Sequence, residues 1–165
     1  MNKFTLKIAI FSKIAKKIME TKIGNSLVRD TTSLGGLIIP SLILLMALVL
    51  KEYSLFISLF LGLFFSIAIV VLIRTFYFKE RPNKQKFKTY FGKIDACSFP
   101  SLHTARAFYI ALILANFWGY EIFVTITLLF IASLVAISRL IMKKHDFIDV
   151  TFGFILALLL WSILA

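Results

Sequence analysis

The chain has 165 residues, of which 60% are hydrophobic, yet it carries a formal net charge of +11. Its apolar fraction exceeds the roughly 45–50% of ordinary globular domains, and its charged fraction of 16% lies below their usual ~25%. Composition therefore favours an integral membrane protein and argues against a nucleic-acid-binding domain. The single cysteine, Cys97, excludes an internal disulfide and a cysteine-rich metal site.

The basic segment 1–32 predicts an amphipathic helix. Apolar side chains recur there at a helical spacing, at Phe4, Ile8, Phe11, Ala15 and Ile18. Lys13, Lys16 and Lys17 fall on the opposite face, and the interleaved lysines deny the segment the unbroken apolar run that a signal peptide needs. We therefore expect 1–32 to lie in the membrane interface as a helix, with a disordered basic tail as the alternative.

Five apolar stretches follow and predict membrane spans. They cover 33–50, 54–73, 107–120, 122–138 and 147–165. The second has 20 residues without a charge, about the length that crosses ~30 Å of hydrocarbon. We expect an all-α, polytopic membrane bundle of about five transmembrane helices plus the N-terminal interfacial helix. No linker divides the chain, so 1–165 is interpreted as one domain with a catalytic core in 54–165.

The distribution of basic residues predicts the orientation of this bundle. With five spans, all of the 19 Lys and Arg except Lys51 fall on the side that carries 1–32, 74–106 and 139–146. Cytoplasmic segments of membrane proteins are enriched in Lys and Arg. This side is therefore predicted to face the cytoplasm, with the protein in the plasma membrane.

Three polar clusters lie where the predicted spans meet water. They are RTFYFKERP at 74–82, SFPSLHT at 98–104 and SRLIMKKHDFIDV at 138–150. The five-span topology places all three at the same membrane face. A single site assembled from distant parts of the sequence requires this placement.

Three arginines of these clusters, Arg74, Arg81 and Arg139, suggest an anion site. Arginines that converge at a membrane boundary without a counter-ion repel one another and are costly to desolvate. A phosphate dianion resolves this, because guanidinium groups match its oxygens in a bidentate geometry.

The two histidines can then divide the chemistry of phosphoryl transfer. One imidazole can attack phosphorus while the other protonates the leaving oxygen. Asp149 follows His145 by four positions, which on a helix lets its carboxylate orient the imidazole. His145 is therefore the candidate nucleophile, and His103 is the candidate acid.

These residues resemble the type-2 phosphatidic acid phosphatase superfamily over about 54–165. The family pattern is Lys, six residues, Arg-Pro; then Pro-Ser-Gly-His; then Ser-Arg, five residues, His, three residues, Asp. The chain has the same order and spacing in Arg74, Arg81-Pro82, Pro100-Ser101-Leu102-His103, Ser138-Arg139, His145 and Asp149. It departs from the pattern twice, with Arg74 in place of Lys and Leu102 in place of Gly.

The resemblance implies a helical bundle that needs no metal or other cofactor. It implies that His145 forms a phosphohistidine, that Asp149 orients it, and that His103 protonates the leaving alcohol and later activates water. The groups implied to hold the phosphate are Arg74, Arg81, Ser101, Leu102 and Arg139.

We therefore expect a membrane enzyme that hydrolyses a lipid phosphomonoester or diphosphate. Candidate substrates are phosphatidic acid, phosphatidylglycerol phosphate and polyprenyl diphosphate. Two alternatives stay open: a lipid phosphotransferase that uses the same site, and a non-catalytic membrane protein that binds or transports an anion. In each case the expected partners are membrane lipids and not nucleic acid.

Overall fold

The computed structural model describes the backbone of residues 3–165 and the side chains of residues 10–165. Within this part the chain forms eight α-helices, and it is 77% helical, which confirms the predicted all-α membrane bundle. The helices are α1 (Lys3–Glu20), α2 (Lys22–Ser33), α3 (Ile38–Val49), α4 (Tyr53–Phe76), α5 (Tyr90–Ala96), α6 (Leu102–Phe117), α7 (Ile122–Ile141) and α8 (Phe147–Leu164).

The basic N-terminal segment forms two helices instead of one. The break falls at Thr21, whose hydroxyl accepts a hydrogen bond of 3.1 Å from the Gly24 N–H and so caps the start of α2. In α1, Ala15 is buried and the ring of Phe11 lies 5.9 Å from that of Phe147. The predicted apolar face therefore packs partly on the bundle. The side chains of Phe4 and Ile8 lie outside the described residues.

Three helices, α4, α7 and α8, are long and apolar enough to cross a membrane. Helices α2 and α3 pass the same test only as a pair, which is bent by 42°, while α6 is apolar but shorter. The bend contains Gly35, where a Cβ would lie 2.8 Å from the carbonyl oxygen of His103. Glycine therefore allows the chain to approach α6 closely. The predicted count of five spans is reached only if α3 and α6 both cross.

Helix α6 lies at the centre and packs against α4, α7 and α8. Tyr109 of α6 is fully buried against Gly62 of α4, and its hydroxyl donates a 2.6 Å hydrogen bond to the carbonyl of Ser58. Around this core many bulky apolar side chains face outward, among them Phe60, Phe64, Leu72, Phe130 and Leu159. An apolar surface of this extent is typical of contact with lipid.

The polar segments meet at one end of the bundle. The Asn83 N–H donates to the carbonyl of Lys143 at 2.9 Å, and the hydroxyls of Thr32 and Ser138 share a hydrogen bond of 2.7 Å. The end of α2, the segment 77–101 and the loop 142–146 are thereby joined. The three polar clusters thus share one end of the bundle, as the sequence predicts.

Candidate active site

Arg74, at the end of α4, is buried and bonded to the backbone. Its guanidinium donates to the carbonyls of Ile94 at 3.0 Å, Phe99 at 3.3 Å and Pro100 at 2.9 Å. Carbonyl groups in the last turn of α5 and in the segment after it therefore occupy three of its five N–H donors. Arg74 ties the segment before α6 to α4, and its predicted role in holding phosphate stays a prediction.

Arg81 is also buried but keeps part of its guanidinium free. Nη1 donates to the side chain of Gln85 at 2.7 Å, and Nη2 donates to the backbone carbonyl of Asp95. The Asp95 carboxylate lies 3.8 Å away and is 82% exposed, so it compensates the charge only weakly. Nε of Arg81 is buried without a partner among the described residues.

The second cluster forms the N-terminus of α6. Ser101 is its N-cap residue, but its hydroxyl pairs with the Thr104 hydroxyl at 2.9 Å and caps no backbone N–H. The N–H groups of the first turn, from Leu102 onward, lack intrahelical acceptors, as in any helix. An anion is favoured at such a position by these donors and by the helix dipole. His103 lies in this first turn.

Arg139 comes from α7 and is 2% exposed. Its Nε and Nη1 are buried without a hydrogen-bond partner in the described part of the chain. The preceding residue, Ser138, is bonded to Thr32 of α2, which fixes this part of α7. The result is a rigidly placed guanidinium with free donors.

His145 lies in the loop between α7 and α8 and is 3% exposed. Its Nδ1 is 3.7 Å from Oδ2 of Asp149, which is too long for a hydrogen bond but within ion-pair range. Burial lowers the pKa of His145, and Arg139 lowers it further, while Asp149 opposes both. The imidazole is therefore neutral at pH 7, as a nucleophile must be.

Lys79 is a site residue that the sequence reasoning missed. Its Nζ lies 2.6 Å from Asp146 and 2.8 Å from Oδ1 of Asp149. Burial alone would lower the pKa of Lys79, but its hydrogen bonds to the two carboxylates raise it above the usual value. Lys79 thus competes with His145 for Asp149. No spacing rule indicates this contact, because it joins two segments 70 positions apart in sequence.

Asp146 is the N-cap residue of α8. Its carboxylate accepts from the Asp149 N–H at 3.0 Å, and the Asp149 carboxylate accepts from the Asp146 N–H at 3.0 Å. This reciprocal capping box fixes the position of Asp149 at the start of α8. The pattern Asp-x-x-Asp before an apolar run was a readable signal of it.

Arg106 is the second residue that the sequence reasoning missed. It lies in α6, one turn beyond His103, and is 5% exposed. Its Nε has no partner among the described residues. The signal was available, since an ionisable residue inside an apolar helix is by default a candidate functional residue.

A cleft of about 320 Å³ opens beside His145. Its walls are mostly apolar and come from α1, the segment after α4, and the ends of α7 and α8. They include Phe11, Ala15, Pro82, Leu140 and Phe147. The buried polar site is therefore bordered by a surface on which a lipid chain can lie.

The comparisons with known proteins agree with this geometry. The family model of the PAP2 superfamily matches residues 55–165, about two thirds of the chain. The chain belongs to the PAP2 superfamily. The crystal structure of Aquifex aeolicus LpxE is similar in fold, with a TM-score of 0.76 and 20% sequence identity. The match covers 95% of this chain and 93% of that one, so the shared fold includes the N-terminal helices.

PAP2 membership confirms the predicted family and the class of activity. The chain is an integral membrane lipid phosphatase, whose substrates are lipid phosphates. The roles of individual residues, the choice of lipid and the side of the membrane remain predictions. The same holds for the division into a single domain with an interfacial segment at 1–32.

Proposed function

We propose that this PAP2 protein removes phosphate from a lipid phosphomonoester or diphosphate through a phosphohistidine formed on His145. The observation that carries the proposal is the convergence of the three motifs at one end of the bundle, around His145 and the unpaired guanidinium of Arg139. Free donors beside a neutral imidazole are the arrangement that a phosphoryl group needs.

Binding of the phosphate would use donors that the protein leaves free. These are Nε and Nη1 of Arg139, Nε of Arg81, and the first-turn N–H groups of α6, which include that of Leu102. An N–H of Leu102 can meet an oxygen in spite of its side chain, so the absence of the family's glycine is compatible with the proposal. Ser101 and Arg74 would stabilise the surrounding structure of the site through their hydrogen bonds within the protein.

The first chemical step would transfer the phosphoryl group to the enzyme. Because Nδ1 of His145 faces Asp149, Nε2 is the nitrogen that attacks phosphorus. As the N–P bond forms, the bond from phosphorus to the leaving oxygen breaks. His103, which takes up a proton when the phosphate dianion binds beside it, gives this proton to that oxygen, and Asp149 stabilises the positive charge on the His145 ring.

The second step would return the enzyme to its starting state. His103, now neutral, takes a proton from water as the water oxygen attacks phosphorus. The N–P bond breaks, His145 is restored, and inorganic phosphate leaves. An alcohol that replaces water in this step would give phosphotransfer, which stays the alternative.

The substrate would reach the site from the membrane. The apolar cleft beside His145 suits the first part of a lipid chain, and the exposed residues Lys86 and Lys88 suit an anionic membrane surface. The charge distribution supports a site on the cytoplasmic side of the plasma membrane.

Trapping of the intermediate tests the proposal. Purified protein is mixed with ³²P-labelled p-nitrophenyl phosphate, whose leaving group needs no proton. We expect His103→Asn to accumulate an acid-labile, alkali-stable label, because it forms the phosphohistidine but activates water poorly. His145→Gln should form no label and should lose at least about 10³-fold in phosphate release from lipid phosphates.

The matched control is Lys84→Gln, an exposed change in the same polar end, which should behave like the wild type. Full phosphate release by His145→Gln would refute the mechanism. Added glycerol distinguishes the alternative, since a transferase yields glycerol phosphate in place of inorganic phosphate.

A further inference from the structure

We propose that Arg106 supplies a guanidinium to the phosphate site, in the role that the family pattern gives to Arg74. This inference rests on the proposed function, since it assumes that a phosphate binds between His103 and His145. It names a further phosphate-binding residue outside the three motifs.

The partners of Arg74 argue that it is a structural residue. Its Nε donates to the carbonyl of Phe99, its Nη1 to that of Ile94 and its Nη2 to that of Pro100. To turn towards a phosphate, the guanidinium would have to leave the carbonyls of Ile94 and Pro100 without this donor, and that of Phe99 with only the weak thiol donor of Cys97. The cost of a buried polar group that loses its partner is about 1–3 kcal/mol each. Arg74 is therefore held in place by the fold.

The side chain of Arg106, unlike that of Arg74, is buried without hydrogen-bond partners among the described residues. The side chain is 5% exposed, and its Nε is buried without a partner. Among the described residues no acceptor or carboxylate is bonded to its Nη1 or Nη2 either. A charge that is buried without a partner is strongly destabilising, and more so in an apolar span. Nothing in the described fold compensates this charge, which points to a bound anion.

The direction of the side chain brings Arg106 to the site. Long side chains on a helix lean towards its N-terminus and cover the preceding turn. For Arg106 that turn carries Leu102 and His103, at the start of α6. The ionisable groups near enough to act on His103 include Arg139, Arg106, His145 and Lys144. Arg106 and Arg139 thus approach His103 from α6 and α7 respectively.

A phosphate dianion is the ligand class that fits this arrangement. It offers several oxygens to two guanidinium groups at once, and its two negative charges match the two unpaired arginines. The exchange of roles also accounts for the departure from the family pattern at Arg74. At position 74 the planar guanidinium of an arginine can donate hydrogen bonds to three carbonyls, for which the ammonium group of a lysine is less well suited.

The test compares Arg106→Met with Arg74→Met in purified protein, using inorganic phosphate as the probe. Thermal unfolding is measured with and without phosphate, and phosphate inhibition is measured against a lipid phosphate substrate. We expect Arg106→Met to unfold at the wild-type temperature or higher without phosphate, because a buried unpaired charge is removed. Its inhibition constant for phosphate should rise about 10- to 100-fold, as for the loss of a charged hydrogen bond.

Arg74→Met should show the reverse pattern, with a lower unfolding temperature in the absence of phosphate. Arg106→Lys should retain part of the phosphate affinity that Arg106→Met loses, because lysine keeps the positive charge but lacks the bidentate geometry of the guanidinium group. The inference is overturned if phosphate inhibits Arg106→Met and the wild type equally, or if Arg106→Met loses its fold without phosphate.

The same measurements separate this inference from the proposed function. If the wild type neither releases nor binds phosphate, the proposed function fails and the inference fails with it. If the wild type is active and His145→Gln is inactive while Arg106→Met keeps normal phosphate inhibition, only the role of Arg106 is refuted.

Discussion

The two oxygens of the Asp149 carboxylate face two different groups, the Lys79 ammonium and the neutral His145 imidazole. Oδ1 is 2.8 Å from Lys79, and Oδ2 is 3.7 Å from His145. Lys79 therefore neutralises part of the negative charge that would otherwise raise the basicity of His145. Burial, Arg139 and Arg81 keep the pKa of His145 low, while Asp149 opposes them. We expect the Lys79–Asp149 pair to add to this effect and to help keep His145 unprotonated.

The titration of His145 tests this account. The chain has two histidines, so His103→Asn leaves His145 as the only one, and ¹⁵N-histidine NMR can follow it. We expect its pKa to lie below the usual value of about 6.5. Adding Lys79→Met should raise that pKa, because a nearby positive charge is lost and Asp149 is freed for the imidazole.

Lys84→Met is the control, since Lys84 is exposed and paired with Glu80 on the surface. A pKa of His145 at or above 6.5 in the His103→Asn protein would contradict the account, as would an unchanged pKa after Lys79→Met.

The lowered pKa of His145 also makes the free energy of unfolding depend on pH. The unfolded chain binds the proton more tightly than the fold does, so stability falls as the pH drops below about 6.5.

At the scale of elements, the site depends on the close contact of α6 with α8. A Cβ at Gly153 would lie 2.6 Å from the carbonyl oxygen of Ser101 and 3.1 Å from Cβ of Thr104. One turn earlier in α8, the Asp149 carbonyl accepts from the Ser101 N–H at 3.0 Å. Glycine at 153 thus sets the separation between the His103 turn and the Asp149 turn.

Gly153→Ala should push these two turns apart. We expect it to lower the free energy of unfolding by about 1–3 kcal/mol, as overpacking does, and to reduce kcat for phosphate release more than it changes KM. Thermal unfolding and steady-state kinetics measure the two effects. Thr151→Ala, on an exposed face of α8, is the control. Wild-type stability and kcat in Gly153→Ala would show that this contact does not position the site.

At the scale of the whole molecule, the polar end and the opposite end differ in charge. The polar end carries the site together with the segment 77–101, whereas the other end carries the short turn at Lys51 and Glu52 and the C-terminus. A basic end of this kind favours the cytoplasmic side. The orientation follows from the number of spans, so it is a property of the complete bundle.

Cysteine labelling in cells tests the orientation. Cys97 is fully buried, and Cys97→Ala gives a background for single cysteines. We expect Lys88→Cys to react with a membrane-impermeant maleimide only after the membrane is opened, and Lys51→Cys to react in intact cells. Both positions are exposed on the protein, so a difference in labelling reports the side of the membrane and not burial. The opposite labelling would place the site on the outer side.

Local patterns in the sequence were enough to indicate the helices, the lipid-facing character and the three motifs. Hydrophobic periodicity and motif spacing are carried by neighbouring residues, so the all-α membrane class and the PAP2 family could be predicted and are confirmed. The sequence spacing also predicted that His145 and Asp149 are neighbours on one helix. His145 instead lies in the loop before α8, although its Nδ1 still comes within 3.7 Å of Asp149.

The hydrogen-bond partners of the site were decided by tertiary packing alone. The three carbonyls on Arg74, the link from Lys79 to Asp149 and the isolation of Arg106 each depend on which distant segments the helices bring together. The bend between α2 and α3 depends likewise on the approach of Gly35 to α6. The sequence determines which donors, acceptors and charges each residue carries. Which partners they bind is determined only by the packed structure, because neighbouring groups compete for the same donors and acceptors.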